Sequence, residues 1–284
     1  MRFGATLIGS KAMAGNFDPA WLDKTDDERH HDATGARRFR RRSDGWRAID
    51  RRGKNVVAYV ESHIEQGPVL LNEGLPVGVV TAIAGASRLR VQVTGLAGHA
   101  GTVPMGSRQD ALTAASEMVL LVERYCGERQ GLVGTVGKMA VLPGASNVIP
   151  QDVEFTADVR SGDDRLRREA VDAIQVGFED IAARRGVAVN AAPFFSAERG
   201  PCDPALQQEF AEAIAAHNIP VRHLPSGAGH DAMEFPAVAP TAMLFVRCGN
   251  NGISHHPDET MTADDAEIAT SVLLHFFEHF EPSK

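Results

Sequence analysis

The chain has 284 residues, enough for one large domain or two ordinary ones, and its 43% hydrophobic and 23% charged residues are the balance of a globular protein. A formal net charge of −8 and an aromatic content of 6% speak against a general nucleic-acid surface or a base-stacking platform. Cys126, Cys202 and Cys248 are far apart and form no CxxC, which points to a reducing compartment, the cytoplasm, and no apolar run is long enough to cross a bilayer.

The opening "MRFGATLIGSKAMAG" imitates a signal peptide, with Arg2, a short apolar run and small residues near Ala12 and Ala14. Gly4 and Gly9 break that run and Lys11 follows it, so secretion is not expected. Residues 24–54 have neither helical nor strand period. Their arginines Arg37, Arg38, Arg40, Arg41 and Arg42 read as an exposed loop rather than a phosphate or nucleic-acid contact.

From Val57 the pattern alternates, which predicts a strand with Glu61, His63 and Glu65 on one face. Pro68 opens a short helix and Gly74 closes it. Between about Gly85 and Ser196 the elements run strand ("RLRVQVTGL"), helix (about 106–126), two strands ("GLVGTVGKMAVL", "DVEFTADVR"), a helix ending near Gly186, and strand ("VAVNAAPFF"). That β-α-β-β-α-β order is the ferredoxin-like plan. The last part returns to α/β alternation. Asp203-Pro204 starts a helix, "VRHL" and "PTAMLFVR" are strands, and "TADD" is a variant capping box before a terminal helix striped by Ile268, Val272 and Phe276.

Histidines gather where strands should end: His63, His99, His230 beside Asp231, and His255 with His256. Loops at strand ends are where α/β proteins place ligands, and imidazole with carboxylate suits zinc or manganese. Spacing alone leaves each histidine open to a plainer reading, as a hydrogen-bonded rim residue or a polar turn.

Taken together, "RFGATLIGSKAMAG", "AYVESHIEQGPVLLNEG", "TGLAGHAGTVPMGSRQDAL", "GASNVIP", "DVRS", "SGAGHDA" and "GISHHPDE" resemble the N-carbamoyl-L-amino-acid hydrolases, allantoate amidohydrolases and ureidopropionases, di-metal amidohydrolases of the wider aminoacylase and carboxypeptidase group. The resemblance implies an α/β fold with a metal-binding catalytic domain (1–84 and 197–284) interrupted by a ferredoxin-like lid and dimerisation domain (85–196). It implies hydrolysis of a linear amide C–N bond in an N-carbamoyl amino acid, allantoate or related ureido acid, with Zn2+ or Mn2+, two per subunit, and a homodimer through the lid. No nucleic acid or membrane partner is implied. By motif, His63 and His255 match metal ligands, and His99 matches a lid histidine that stabilises an oxyanion. Gln66, Asn147 and Arg160 match substrate-holding residues, and the Gly227–Ala228 backbone lines the pocket.

The family pattern also has a first histidine ligand, a bridging aspartate and a Glu-Glu pair ahead of the segment matching "RFGATLIG", whereas Met1 stands directly before Arg2 here. The expectation for this polypeptide is an incomplete site. The alternatives are a truncated, inactive homologue that still folds and pairs, with an open sheet edge that lowers solubility, or an aminoacylase or dipeptidase of the same group.

Overall fold

The computed structural model describes residues 6–23 and 49–282, and the arginines Arg37 to Arg42 lie outside the described residues. In chain order the elements are α1 (Ile8–Met13), β1 (Tyr59–Ile64), α2 (Val69–Glu73), β2 (Val77–Ile83), β3 (Gly85–Thr94), β4 (Gly98–His99), α3 (Ala111–Gly127), β5 (Leu132–Leu142), β6 (Val148–Ile149), β7 (Asp152–Ser161), α4 (Asp164–Arg185), β8 (Ala188–Ala197), β9 (Gly200–Pro201), α5 (Pro204–Ala216), β10 (His223–Ser226), β11 (Thr241–Val246) and α6 (Ala263–His279). They divide into two compact units, Met1–Ile83 with Gly200–Lys284, and Ala84–Arg199.

The first unit is built on a mixed sheet in the order β1-β11-β2-β10, with β9 also on β2. β1 and β11 run parallel, β2 is antiparallel to β11, and β10 is parallel to β2. Every residue of β11 is buried. Ala242, Leu244 and Val246 join Val77 and Val79 against α5 and α6, where the rings of Phe210 and Phe276 stack 4.3 Å apart. Met243 and Phe245 point the other way, into a smaller cluster with Leu70, Val80, Ile83 and Leu224. A strand covered on both faces needs an unbroken apolar run, which "TAMLFV" supplies.

β2 and α1 carry no prediction from the sequence. "VGVVTAI" is buried almost throughout and so lacks the alternation that marks a half-exposed strand. Three helix starts follow the expected chemistry. Asp110, Asp163 and Asp203 each accept two backbone N–H bonds from the first turn of α3, α4 and α5. α3 begins at Ala111, later than the expected 106, because Asp110 is the cap. At α6, Thr262 accepts from the Asp265 N–H at 3.1 Å, but the Asp265 carboxylate turns to Arg247 at 2.6 Å instead of closing a reciprocal box.

The second unit has the strand order β5-β7-β3-β8, antiparallel throughout, with α3 and α4 packed on it. Apart from the two-residue strands β4 and β6, which form a separate ribbon, its element order is the β-α-β-β-α-β read from the sequence. The alternation in β7, where Val153, Phe155, Ala157 and Val159 are buried, faces Met118, Val122, Ile174 and Phe178 on the helices. Phe155 and Phe178 meet edge to face at 5.8 Å.

Phe178 is fully buried, whereas Val176 on the same helix is 57% exposed. Phe178→Ala is expected to cost about 3–5 kcal/mol and lower the urea midpoint of this unit. Val176→Ala is expected to stay within about 0.5 kcal/mol of the parent.

Candidate metal centre

Parallel pairing of β1 with β11 sets Glu61 opposite Met243 and His63 opposite Phe245. Tyr59, Glu61 and His63 therefore share the sheet face that carries the smaller apolar cluster, while Ala58 and Val60 turn to the α5/α6 side. The turn after β10 brings His230 onto the same face. Its ring lies 4.5 Å from that of His63 and 5.7 Å from that of Phe245, centroid to centroid. One ligand atom from each of Glu61, His63 and His230 falls within 4.8 Å of the others. Ligands about 2.0–2.2 Å from one ion stand at most roughly 4.4 Å apart, so this spacing fits a shared cation with little adjustment.

Each donor is aimed by a neighbour. His63 Nδ1 lies 2.7 Å from the Ile64 carbonyl, which can only accept, so the neutral ring carries its proton on Nδ1 and keeps a lone pair on Nε2. His230 Nε2 lies 2.7 Å from Ser226 Oγ. The Ser226 hydroxyl donates to Ala228 O at 3.1 Å and so accepts from His230, which leaves Nδ1 turned towards Glu61 Oε1 at 3.8 Å. Glu61 Oε2 accepts from Ala232 N at 2.8 Å and from the Tyr59 hydroxyl at 3.1 Å, so Oε1 is the ligand atom. Tyr59 is fixed by stacking on Phe235 at 3.9 Å. Asp231, beside His230, accepts from Ser10 Oγ at 2.7 Å, tying α1 to this turn. Such outer partners fix tautomer and direction in metal sites.

The electrostatics suit a divalent cation beside these groups. Burial pushes the Glu61 carboxyl up, helped by Asp231 and opposed by the Ala232 N–H and Tyr59. Burial, with His63 nearby, pushes the His230 imidazole down to about 4, against the pull of Asp231. Burial and the Glu61 charge push the Tyr59 hydroxyl well up. His230 thus stays a neutral ligand near neutrality, and a buried carboxylate gains from a cation beside it.

The other expected residues are placed as follows. Glu65 does not share the face of His63. β1 ends at Ile64, and the Glu65 carboxylate turns back to accept from Val69 N and Leu70 N, both at 2.8 Å, at the start of α2. Gln66 follows in a left-handed conformation (φ 54°). His255, also left-handed (φ 56°), is exposed and outside the three-residue cluster. Its N–H donates to Glu259 at 2.7 Å. The loop that carries it docks on the end of β1. A Cβ at Gly252 would stand 2.3 Å from the Gly67 carbonyl carbon, so only glycine fits there. Gly227 and Ala228 form the turn that Ser226 braces, with Ala228 N donating to its hydroxyl at 3.2 Å.

In the second unit, β4 pairs with β6, and Ala100 N donates to Asn147 O at 3.0 Å, so His99 and Asn147 share one ribbon. His99 Nδ1 accepts from Gly101 N at 3.0 Å, which puts the ring proton on Nε2. Arg160 holds Asp158 in a fork at 2.8 and 3.0 Å, and Arg88 shares the same carboxylate at 2.8 Å. Glu61 and His230 are the members of the cluster that motif reasoning did not assign as ligands. The signal for Glu61 was its period-two spacing from His63. His230 offered only its place in a glycine-rich turn.

The model of the family described as peptidase family M20/M25/M40 matches residues 5–279. The chain is 37% identical over 274 residues to an N-carbamoyl-L-amino acid amidohydrolase of Geobacillus stearothermophilus, covering 96% of this chain and 67% of that protein. It is 36% identical over 309 residues to an allantoate deiminase of Arabidopsis thaliana, covering 98% of this chain and 58% of that protein. Among solved structures, an amidase of the hydantoinase/carbamoylase family from Burkholderia multivorans superposes with a TM-score of 0.89 at 36% identity, covering 99% of this chain and 68% of that one. The chain thus spans about two thirds or less of the length of these relatives.

His230 titrates lower folded than unfolded, about 4 against 6.5. Above pH 6.5 both states are neutral and it contributes nothing. Between 6.5 and 4 the unfolded chain binds the proton first, so stability falls as pH falls, by up to about 1.4 kcal/mol per pH unit. Glu61, pushed the other way, has the opposite sign. In chelator-treated protein, His230→Gln is therefore expected to flatten the acid side of the stability profile, read by urea melts between pH 7 and 4.

Proposed function

Because the chain belongs to peptidase family M20/M25/M40, we propose that it serves in hydrolysis of a linear amide C–N bond in an N-carbamoyl amino acid, allantoate or related ureido acid. The observation that carries this reading is the Glu61–His63–His230 cluster, two imidazoles and a half-buried carboxylate converging on one point. The names of the relatives, an N-carbamoyl-L-amino acid amidohydrolase and an allantoate deiminase, support the substrate class.

His63 Nε2, His230 Nδ1 and Glu61 Oε1 would hold Zn2+ or Mn2+, and His255, on the loop docked at Gly67, would serve a second ion. A divalent cation supplies a Lewis acid for the substrate carbonyl and lowers the pKa of bound water. The protein's own part is positional. The Ile64 carbonyl, the Ser226 hydroxyl and the Ala232 N–H keep three donors aimed at one point before anything binds, so little reorganisation is left for the reaction.

His99, with its proton on Nε2, is the form that can donate to a developing oxyanion. Asn147 in the same ribbon, Gln66 and the Gly227–Ala228 backbone would orient the ureido group. Arg160, steadied by Asp158, would meet the substrate carboxylate, as a planar guanidinium suits. The unit Ala84–Arg199 would act as lid and would pair two copies as a homodimer, and the three free, buried cysteines accord with a reducing compartment such as the cytoplasm.

The test is turnover of N-carbamoyl amino acids, allantoate and dipeptides by chelator-treated protein resupplied with Zn2+ or Mn2+. Ureido acids are expected to be cleaved and dipeptides not. His63→Ala is expected to lower bound metal and kcat/KM together, by roughly tenfold or more. Metal binding with no turnover of any ureido acid would refute the enzymatic reading for this chain.

A further inference from the structure

The turn that carries His230 is held by α1, a helix that supplies no ligand of its own. Asp231–Glu234 form one 3-10 turn, and this turn with its two flanking residues serves the candidate centre in three ways. His230 precedes it. The Ala232 N–H donates to Glu61 Oε2 at 2.8 Å. Phe235, which follows it, stacks on Tyr59 at 3.9 Å, and the Tyr59 hydroxyl donates to the same Glu61 oxygen at 3.1 Å. A rotation of this turn therefore moves one ligand and both of the groups that aim another.

α1 grips the turn at both ends. Ser10 is 5% exposed, and its hydroxyl lies 2.7 Å from Asp231 Oδ1 and 3.0 Å from the Leu7 carbonyl. It has one proton, and an ionised carboxylate is the stronger acceptor, so the hydroxyl donates to Asp231. At the other end Lys11 Nζ stands 3.8 Å from Glu234 Oε1 and 5.2 Å from the centre of the Trp21 ring. That ion pair is long and partly exposed and contributes little. The Ser10 bond is short and charge-assisted. His230, at the start of the turn, offers no side-chain cap. The residue between His230 and Ala232 is thus anchored from α1, 221 positions away in the chain.

We propose that Ser10 is a positioning residue for the metal centre: acting through Asp231, it fixes the turn so that His230 Nδ1 and Glu61 Oε1 face one point. This rests on the reading of Glu61, His63 and His230 as a metal centre. Ser10 acts one step further out than Ser226 and the Ala232 N–H, which touch the ligands themselves. Its loss is expected to cost metal affinity at the low end of the roughly 10- to 100-fold range found for outer partners of metal ligands.

The experiment titrates Co2+ into the full, chelator-treated chain and follows its visible absorption, which reports the number and geometry of the ligands. The parent is compared with Ser10→Ala, Asp231→Ala, the double variant and His63→Gln, and the metal-free melting of each is recorded. Ser10→Ala is expected to weaken Co2+ binding roughly tenfold and to shift the visible bands. Because Ser10 acts through Asp231, the double variant is expected to bind no more weakly than Asp231→Ala alone. A merely structural role for Ser10 would lower metal-free melting and leave the affinity and bands of the folded protein unmoved, and that result overturns the proposal. So does a double variant weaker than Asp231→Ala by the full factor seen for Ser10→Ala. If the parent takes up no Co2+, or His63→Gln binds it as the parent does, the metal-centre reading itself falls, and the proposal falls with it.

Discussion

Everything at the candidate centre depends on the parallel register of β1 against β11. Side chains alternate along a strand, so the pairing of His63 with Phe245 and Glu61 with Met243 decides which face they meet. In the observed register they lie with Phe245 and His230, on the side without the long helices. A slip of one residue would turn both into the layer of Leu244, Val246 and Phe276, where nothing accepts an imidazole or a carboxylate. Burying those groups there without partners would cost several kcal/mol each. β11 resists such a slip because all six of its residues are buried and its two faces pack different partners. The apolar strand thus fixes the position of the polar one.

At the centre itself, burial works against charge. His230 is buried and Glu61 half-buried, and desolvation lowers the His230 imidazole and raises the Glu61 carboxyl, so each is pressed towards its uncharged form. Hydrogen bonds from Tyr59 and Ala232 to Glu61, and from His230 to Ser226, offset part of that penalty but leave the facing atoms, Glu61 Oε1 and His230 Nδ1, 3.8 Å apart, beyond a good hydrogen bond. Two backbone positions in the loops that follow the neighbouring strands β1 and β11, Gln66 and His255, adopt left-handed conformations that non-glycine residues rarely take. Such strain persists where the surroundings over-determine it, and here a loop glycine, Gly252, is packed against Gly67 between them.

Much of this was legible in the sequence, for reasons that can be stated residue by residue. β1 announced itself by alternation because one of its faces is polar, and α5 announced its start through Asp203 and Pro204, whereas the caps Asp110 and Asp163 went unread and α3 was expected too early. β2 did not announce itself, because burial on both faces removes the alternation on which a strand is recognised. Glu65 misled for the same reason in reverse. Its spacing continued the pattern of Glu61 and His63, but the strand had already ended, and the first turn of α2 offered two unpaired N–H groups nearby. His230 could not be joined to His63 from spacing at all. The two are 167 positions apart, and only the order of strands in the sheet brings them together.

That separation has a structural logic. The unit Ala84–Arg199 is inserted between β2 and β9, and its buried residues form a core of their own. β2 and β9 pair with each other, Ile83 opposite Gly200, so the chain leaves the first sheet and returns to it at one point. An insertion with adjacent ends adds little loop-closure cost to the surrounding fold. The β1–β11 register and the turn that carries His230 can therefore form from the first unit's own contacts, whatever the inserted unit does. The cluster needs that sheet to be correct; the ribbon of His99 and Asn147 needs only the sheet of the second unit. The two sets of residues proposed for one reaction are thus built on separate cores.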